Sequence, residues 1–312
     1  MSEDASASTL TARLVEAGAG SVRAVLLYGS RLLGARPDPY SAYDLVVVVG
    51  DYRAFHAALA AAGELHRPVW LMTALARVLA PNTLAFAPEE GREGIAKCLV
   101  VSVADLERAL GTRPRDHFLL GRLVQRVETV WAATPEDARR MEELLDGARA
   151  GVLRWMAPWL TGSFDAASLG RRMLDVLYRG EVRPEAKDRA ERIFEAQAEH
   201  FRRALGPVLE RAAASGILLR EGERYRLAKP PGAFERLRWR LHFARSKTRA
   251  TLRWFKHMVT FANWLPYIVR KVERHTGRPV HLTPLERRLP IIFLWPRAIR
   301  VLRSRPRREI RP

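Results

Sequence analysis

The sequence predicts an α/β (α+β) fold with a mixed sheet, then a mostly helical domain and a basic amphipathic helical region. Three observations support this order. Short β-branched runs alternate with helical patterns over residues 1–132, as in α/β layers. Residues 133–229 have mostly helical spacing. Beyond the boundary at Pro230-Pro231-Gly232, in residues 230–312, arginines fill the positions between regularly spaced apolar residues.

The first domain begins with the pattern of a short helix over residues 9–20, where Gly18 and Gly20 favour a helix end. Residues 22–28 have the composition of a strand. Residues 45–49 form an unbroken β-branched run, which is typical of a strand covered on both faces.

Further elements of this domain alternate between helix and strand. A helix is predicted at about 52–62, and short strands are predicted at 68–72 and 99–103. The spacing predicts a helix over 103–110 and a longer one over 116–131, with Leu119, Leu123, Val127 and Val130 on one face.

The second domain reads as helical, with a long amphipathic segment over 190–214. Residues 216–227 then predict a hairpin that turns at Glu221-Gly222. Helices followed by a small hairpin resemble a winged-helix domain.

Charge is distributed unevenly along the 312 residues, which carry a formal net charge of +19. Residues 231–312 hold 21 Lys/Arg and 4 Asp/Glu, whereas residues 1–230 hold 32 and 30. The basic residues are 47 Arg and 6 Lys; codon bias explains much of this ratio but does not explain the clustering. Arginine binds phosphate through a planar fork, so the C-terminal region is predicted to bind an anionic partner.

The remaining composition bears on the compartment. One cysteine, Cys98, excludes an internal disulfide and is compatible with a reducing compartment. The N-terminus lacks the apolar core of a secretory signal, and no stretch approaches the roughly 20 apolar residues that span a bilayer. We therefore expect a cytoplasmic protein.

The segment Tyr28-Gly29-Ser30, followed by Asp44 at the start of an apolar strand, carries the candidate chemistry. Glycine lets the backbone approach phosphate closely, and the Ser30 hydroxyl can donate to its oxygens. Asp44 can hold Mg²⁺, which shares its ligands with substrate phosphates. This layout is typical of nucleotidyltransferases, although their common Asp-x-Asp pattern has Ala42 at its first position here. A glycine turn and an ordinary aspartate in an unrelated α/β protein remains the alternative.

Downstream motifs add a resemblance over about residues 22–128. Their order is similar to that of the Tam41/Mmp37 family, the mitochondrial-type phosphatidate cytidylyltransferases. That family has a Tyr-Gly-Ser turn and then a single Asp opening an apolar strand. A Trp-His pair follows, then an Ile-Lys-Tyr-Gly-Val-x-Ser stretch with a downstream Asp-Leu, and finally an Ala-Gly-Arg-Leu-x-Lys-Pro-Val helix. The matching residues are Tyr28-Gly29-Ser30, Asp44, Phe55-His56, Ile95-Ala96-Lys97, Asp105-Leu106 and Gly121-Arg122-Leu123.

The resemblance implies transfer of CMP from CTP to phosphatidic acid, with release of pyrophosphate and with Mg²⁺ as cofactor. It implies that Asp44 binds metal and that Lys97 neutralises triphosphate charge. The residues expected to bind the nucleotide are Gly29, Ser30, Arg31, Asn82, Arg122 and Arg126. Arg122 and Arg126, one turn apart on the predicted helix, would hold a phosphate or form a solvated face. His56 is the weaker candidate, since a lone histidine after a strand is more often structural.

Departures from the family leave the acceptor open. The family's Gly-Ser-Gly is Gly29-Ser30-Arg31 here, its Lys-Tyr-Gly is Lys97-Cys98-Leu99, and its Lys-Pro is Gln125-Arg126. One alternative is a nucleotidyltransferase with another acceptor. The other is a catalytically degenerate domain that serves as an adaptor, an alternative that Ala42 supports.

The basic region 231–312 indicates how the protein would reach a lipid. Trp239, Trp254, Trp264 and Trp295 alternate with arginine and apolar residues on predicted helices too charged to span a bilayer. Basic amphipathic helices with Trp and Phe lie in the headgroup layer. We expect an anionic membrane surface as partner, on its cytoplasmic face, with nucleic acid or packing against the main body as alternatives.

Overall fold

The computed structural model describes residues 3–33, 42–86, 95–179, 188–261 and 283. Residues Met1–Thr260 form one compact unit and Phe261–Pro312 form a second. Only residues 261 and 283 of the second unit are described. The sequence also predicts a second helix of the basic region at about 267–275. This segment, Trp264 and Trp295 lie outside the described residues.

A five-stranded mixed sheet forms the centre of the first unit, in the order β3-β4-β2-β1-β5. The central strand β2 pairs in antiparallel fashion with β1 and in parallel fashion with β4, which confirms the predicted mixed sheet. The strands are β1 (Val22–Tyr28), β2 (Tyr43–Val49), β3 (Asn82–Phe86), β4 (Ala96–Ser102) and β5 (Glu128–Ala132).

Helices cover both faces of this sheet. One face packs on α1 (Glu3–Ala17), α2 (Tyr52–Ala61) and α3 (Val69–Val78) through residues such as Leu45 and Val47. The other face packs on α4 (Val103–Leu110), α5 (Leu120–Leu123) and the later helices through Val46 and Val48. Burial of β2 on both sides explains its unbroken β-branched run.

The helical region that follows shares a hydrophobic core with the second of these sheet faces. It contains α6 (Pro135–Ala150), α7 (Val152–Met156), a single 3₁₀ turn, α8 (Ala166–Arg179) and α9 (Asp188–Ala214). The predicted hairpin is confirmed as β6 (Leu218–Glu221) and β7 (Arg224–Leu227). Gly222 supplies the left-handed backbone at its turn, with φ of 64°.

Two predicted elements are wrong. Residues 68–72 begin helix α3 instead of forming a strand, because Pro68 occupies the N-cap position, where a missing N–H costs nothing. Residues 116–131 are not one helix. Only Leu120–Leu123 is α-helical, and residues 128–132 form β5, which pairs with β1 along the edge of the sheet.

The basic region begins with α10 (Ala233–Thr260), a helix that packs against the unit through one face. That face buries Trp239 and Phe243 near the helix start and Arg253 and Lys256 near its end. The Thr260 hydroxyl donates to the Thr83 carbonyl, 2.8 Å away, at the end of the helix. Thus the first part of the basic region belongs to the same compact unit as the sheet. Among the described helices, none is long and apolar enough to cross a bilayer.

Candidate functional site

Three strands bring Tyr28, Asp44 and Lys97 into one row. Asp44 on β2 is the register partner of Tyr28 on β1 and of Lys97 on β4. Side chains alternate between faces along a strand, so partners at the same level project from the same side of the sheet. Asp44 and Lys97 are both half-buried. The structure therefore brings together the carboxylate and the lysine that the sequence predicts as catalytic.

Gly29 lies directly against the carboxylate of Asp44. Its φ of 86° is left-handed, a region that favours glycine. A Cβ built on Gly29 would lie 2.6 Å from Asp44 Oδ2, which is closer than van der Waals contact permits. Glycine is therefore favoured at position 29 for two reasons: the backbone is left-handed, and a side chain would clash with the Asp44 carboxylate.

The residues after Gly29 form a tight turn at the end of β1. The Leu33 N–H donates to the Gly29 carbonyl over 3.2 Å, which closes a turn containing Ser30 and Arg31. The Arg31 guanidinium lies 4.4 Å from the centre of the Tyr43 ring. Tyr43 packs with Leu45 and Val47 on the face of the sheet opposite to Asp44, so the structure does not bring Arg31 to this carboxylate. Gly29, Ser30, Asp44 and Lys97 therefore form one local cluster at the start of β2, the Gly29–Asp44 cluster.

The cluster has one carboxylate with which to bind a cation. Among the described residues, no group of three or more His, Cys, Asp or Glu side chains is placed to hold a metal ion. Mg²⁺ is usually bound through one or two carboxylates together with substrate phosphates and water. A single half-buried Asp44 next to a glycine turn fits a magnesium ion whose other ligands come from a triphosphate.

Asn82 is not brought into this cluster. It lies on β3 opposite Val100, two strands away from Asp44. Its amide donates to the Met72 carbonyl over 2.8 Å, and its Oδ1 accepts from Lys256 Nζ over 3.0 Å. The buried Asn82 side chain therefore links α3 and α10 to β3.

Arg122 and Arg126 do not share a helical face, because α5 ends at Leu123. Arg122 donates to the Phe118 carbonyl over 2.6 Å and stacks on the Phe118 ring at 3.8 Å. The backbone N–H of Arg126 donates to Gln197 on α9 over 3.0 Å. The prediction that one helix face presents both arginines is wrong, since residues 124–127 lead into β5.

His56 and Cys98 are core residues. His56 is fully buried between α2 and α3, with Nδ1 3.2 Å from Thr73 Oγ1, and burial lowers its pKa to about 4. Burial and the charge of Asp44 raise the pKa of the Cys98 thiol to about 12, so this thiol stays protonated. Neither side chain takes part in the Gly29–Asp44 cluster.

Sequence reasoning missed two residues at the end of α10. Burial, followed by the positive charges of Lys97 and Lys256, lowers the pKa of His257 to about 3. A neutral imidazole therefore lies within electrostatic range of Lys97. The 160 residues of chain between them leave no periodic signal in the sequence.

Lys256 is the second missed residue. Its Nζ donates to the Leu79 carbonyl, to the Pro81 carbonyl over 2.6 Å and to Asn82 Oδ1 over 3.0 Å. Burial, with Arg253 and Arg249 nearby, lowers its pKa to about 6. Lys256 is 8 % exposed, so this base of the arginine-rich region serves the internal packing of the unit.

Comparison with known proteins adds no family assignment. No protein-family model matches the chain, and no curated protein matches it. The site is therefore interpreted from its own geometry.

Proposed function

We propose that this protein is a phosphatidate cytidylyltransferase that transfers CMP from CTP to phosphatidic acid at a membrane surface and releases pyrophosphate. The observation that carries the proposal is the contact of Gly29 with Asp44, with Lys97 on the adjacent strand. A glycine turn and a hydroxyl can donate to phosphate oxygens, one carboxylate can hold Mg²⁺, and a lysine offsets phosphate charge, so together they suit a triphosphate. We also propose that the sheet belongs to a nucleotidyltransferase-like domain and that the helical region after it is a winged-helix-like domain.

The proposed reaction needs little acid–base chemistry from the protein. A phosphate oxygen of phosphatidate attacks the α-phosphorus of CTP, and the bond between the α- and β-phosphates breaks. The attacking phosphate has a second pKa near 6, so it is largely ionised at neutral pH without a base. The chain then has to position two anions and offset their charge.

Each residue of the cluster has a role in this scheme. The turn at Gly29 and Ser30 holds phosphate oxygens through backbone N–H groups and the Ser30 hydroxyl. Lys97 offsets the charge of the triphosphate. A bound Mg²⁺, held by Asp44, would neutralise charge on the departing pyrophosphate.

The outward face of α10 supports the membrane part of the proposal. Opposite the buried face, large apolar side chains are exposed in two groups, at residues 234–241 and 252–255. Leu241 and Leu252 are 57% and 52% exposed. Arg238 and Arg245 flank these side chains and are also exposed. We name these side chains the outward stripe; its members are Phe234, Leu237, Leu241, Leu252 and Phe255.

This arrangement is typical of a helix that lies in the headgroup layer of an anionic bilayer. One earlier expectation is wrong, because Trp239 is buried against the unit and does not face outward. Trp254, which is 49% exposed, remains available at the surface.

The test uses the full-length chain, Mg²⁺, radiolabelled CTP and vesicles that contain phosphatidate. We expect labelled CDP-diacylglycerol from the native protein and a loss of at least about a hundredfold in Asp44→Asn, which keeps the size of the side chain. Asp51→Asn is the matched control, because Asp51 is an exposed helix cap on the same domain. Its product formation should remain near the native level.

Two outcomes would refute the proposed reaction. Transfer from another nucleotide, or to another acceptor, would place the protein among nucleotidyltransferases of different specificity. Inactivity with every nucleotide, together with an unaltered fold, would favour an adaptor with a degenerate site.

A further inference from the structure

A second cluster of basic side chains lies away from the Gly29–Asp44 cluster. It lines a surface cavity between the end of α3, helix α4, the segment before α5 and helix α10. Five arginines and two aspartates contribute, so positive charges outnumber negative ones by three. The charged lining residues are Arg77, Arg108, Arg115, Arg249, Arg253, Asp105 and Asp116.

The cavity and the Gly29–Asp44 cluster lie at opposite ends of the parallel strands. Lys97 is near the start of β4, whereas Asp105 follows the end of that strand at Ser102. Five residues of extended strand span roughly 16 Å. The cavity is therefore separate from the proposed transfer site.

Two of the arginines are held in place by Asp116, which is 5% exposed. Asp116 Oδ2 accepts from Arg249 Nε and from Arg253 Nη2, each over 2.7 Å. Burial raises the pKa of the Asp116 carboxyl, but the two arginines more than offset this effect and leave the pKa below its usual value. Asp116 thus remains charged and orients both guanidinium groups.

Arg253 has hydrogen-bonding capacity left over. It is 6% exposed, its Nε and Nη2 donate to the Ala80 carbonyl over 2.8 and 2.6 Å, and Phe118 lies under its guanidinium. Its Nη1 is buried and has no hydrogen-bond partner among the described residues. Buried donors are nearly always paired in proteins, and this unpaired nitrogen belongs to a side chain that lines an arginine-rich cavity.

The remaining arginines are more exposed. Arg108 Nη1 donates to Asp105 Oδ1 over 2.5 Å. Arg77 Nη2 lies 3.7 Å from Asp51 Oδ2, which is a weak ion pair. Arg115 is exposed and makes no ion pair within the described part of the chain. These side chains can turn toward a ligand at low cost, whereas Arg253 and Arg249 are already fixed.

We propose that this cavity binds a phosphate monoester group. Such a group is a dianion for much of the neutral pH range and offers three oxygens, which match several guanidinium donors. The group belongs either to a lipid headgroup such as that of phosphatidate or to a soluble phosphate. This site does not depend on the proposed transfer reaction, and its test contains no nucleotide.

The test has two arms, both with the full-length protein. In the first, inorganic phosphate is titrated by calorimetry at constant ionic strength. In the second, the protein binds phosphatidylcholine vesicles that contain either phosphatidate or phosphatidylserine, matched for surface charge. Preference for phosphatidate identifies a lipid headgroup, and phosphate binding without this preference identifies a soluble ligand.

Arg115→Ala is the main variant, and Arg113→Ala is its matched control from the same exposed segment outside the cavity lining. We expect Arg115→Ala to weaken phosphate or phosphatidate binding about tenfold, the effect of one charge-assisted hydrogen bond, and Arg113→Ala to leave it unchanged. Arg249→Ala should act like Arg115→Ala if its urea unfolding confirms a native fold.

The proposal is overturned if the native protein neither binds phosphate nor prefers phosphatidate. Equal losses in Arg113→Ala and Arg115→Ala would also overturn it, because binding would then reflect net charge. Asp44→Asn must retain phosphate binding; its loss there would place the anion at the Gly29–Asp44 cluster instead.

Discussion

At the scale of single residues, Gly29 combines two constraints that are usually separate. Its backbone is left-handed, and its missing side chain leaves room for the Asp44 carboxylate. Gly20 shares the first constraint, with φ of 75°, but a Cβ there would meet nothing within 4 Å. Substituting each glycine therefore separates the energetic cost of a left-handed backbone from the effect of moving the Asp44 carboxylate.

Gly29→Ala should lose both stability and nucleotide binding, whereas Gly20→Ala should lose only stability. The left-handed backbone costs each variant about 1 kcal/mol in the free energy of unfolding. In Gly29→Ala the new methyl group also displaces the Asp44 carboxylate. Urea unfolding and calorimetric titration with CTP and Mg²⁺ measure the two effects. Equal CTP affinity in the two variants would show that the position of Asp44 is irrelevant to binding.

His117 is a buried histidine with a strongly lowered pKa. It is 6% exposed and stacks on Phe243, with ring centres 3.9 Å apart. Both ring nitrogens lack hydrogen-bond partners among the described residues. Burial, followed by the nearby His242, lowers the pKa of His117 to about 3, although Asp116 acts in the opposite direction.

This histidine should make the protein sensitive to acid. Its pKa in the unfolded chain is near 6.5, so between pH 6.5 and 3 the unfolded state binds more protons. The free energy of unfolding therefore falls as the pH is lowered through this window, by roughly 2 kcal/mol down to about pH 5. Above pH 6.5, where His117 is neutral in both states, this histidine does not lower the free energy of unfolding.

His117→Phe should reduce this loss while keeping the aromatic packing. We expect a smaller difference in the free energy of unfolding between pH 7 and pH 5, measured by urea denaturation. His66→Phe, before α3, should reduce the difference by less, because burial lowers the pKa of His66 by less than it lowers that of His117. An unchanged pH dependence in His117→Phe would mean that His117 is protonated in the folded protein.

At the scale of elements, the sequence predicted the strands and helices whose burial pattern can be inferred from their own residues. β2 is an example, since burial on both faces requires the β-branched run that it contains. β5 was missed because residues 128–132 become a strand through pairing with β1, a partner about a hundred residues earlier. Pairing across that distance overrides the helical spacing of Val127 and Val130.

The candidate site divides in the same way. Gly29, Ser30 and Asp44 lie on adjacent strands joined by one loop, so a local motif was enough to group them. Arg122 and Arg126 were grouped by a helix that does not exist over that range. The arginines of α10 that reach Asp116 are separated from it by more than 130 residues, a distance that periodicity does not reveal.

Lys256 is one of the buried side chains that attach helix α10 to the unit. Lys256→Met should lower the free energy of unfolding by about 3 kcal/mol, because the Pro81 carbonyl and Asn82 Oδ1 lose a buried donor. Lys247→Met, on the exposed side of the same helix, should change it by less than about 0.5 kcal/mol. Chemical denaturation measures the free energy of unfolding of both variants. Equal values would show that the hydrogen bonds of Lys256 contribute little to stability.

At the scale of the whole molecule, α10 connects the folded unit to the proposed membrane surface. Its inner face carries Arg253 and Lys256 into the unit, and its outer face leaves Leu241 and Leu252 exposed. Deleting residues 231–312 would therefore remove packing and membrane contact together. Substitutions confined to the outward stripe separate these two roles.

The double variant Leu241→Ser/Leu252→Ser should bind anionic vesicles much more weakly than the native protein. Burying one leucine side chain contributes about 1.5 kcal/mol or more, so losing two should weaken binding by about a hundredfold. Formal charge is unchanged, so the electrostatic attraction of Arg238 and Arg245 remains. Vesicle flotation measures the binding, and the melting temperature should stay within a few degrees of the native value, since both leucines are exposed.

Trp70→Ser is the matched control, because Trp70 is a large apolar residue that is 71% exposed on α3, outside α10. It should leave flotation unchanged, which would show that α10 in particular enters the bilayer. Raising the salt concentration should weaken native binding by screening the arginines. If flotation survives in the double variant, the stripe does not contact lipid, and the proposal that α10 brings the transfer site to its acceptor fails with it.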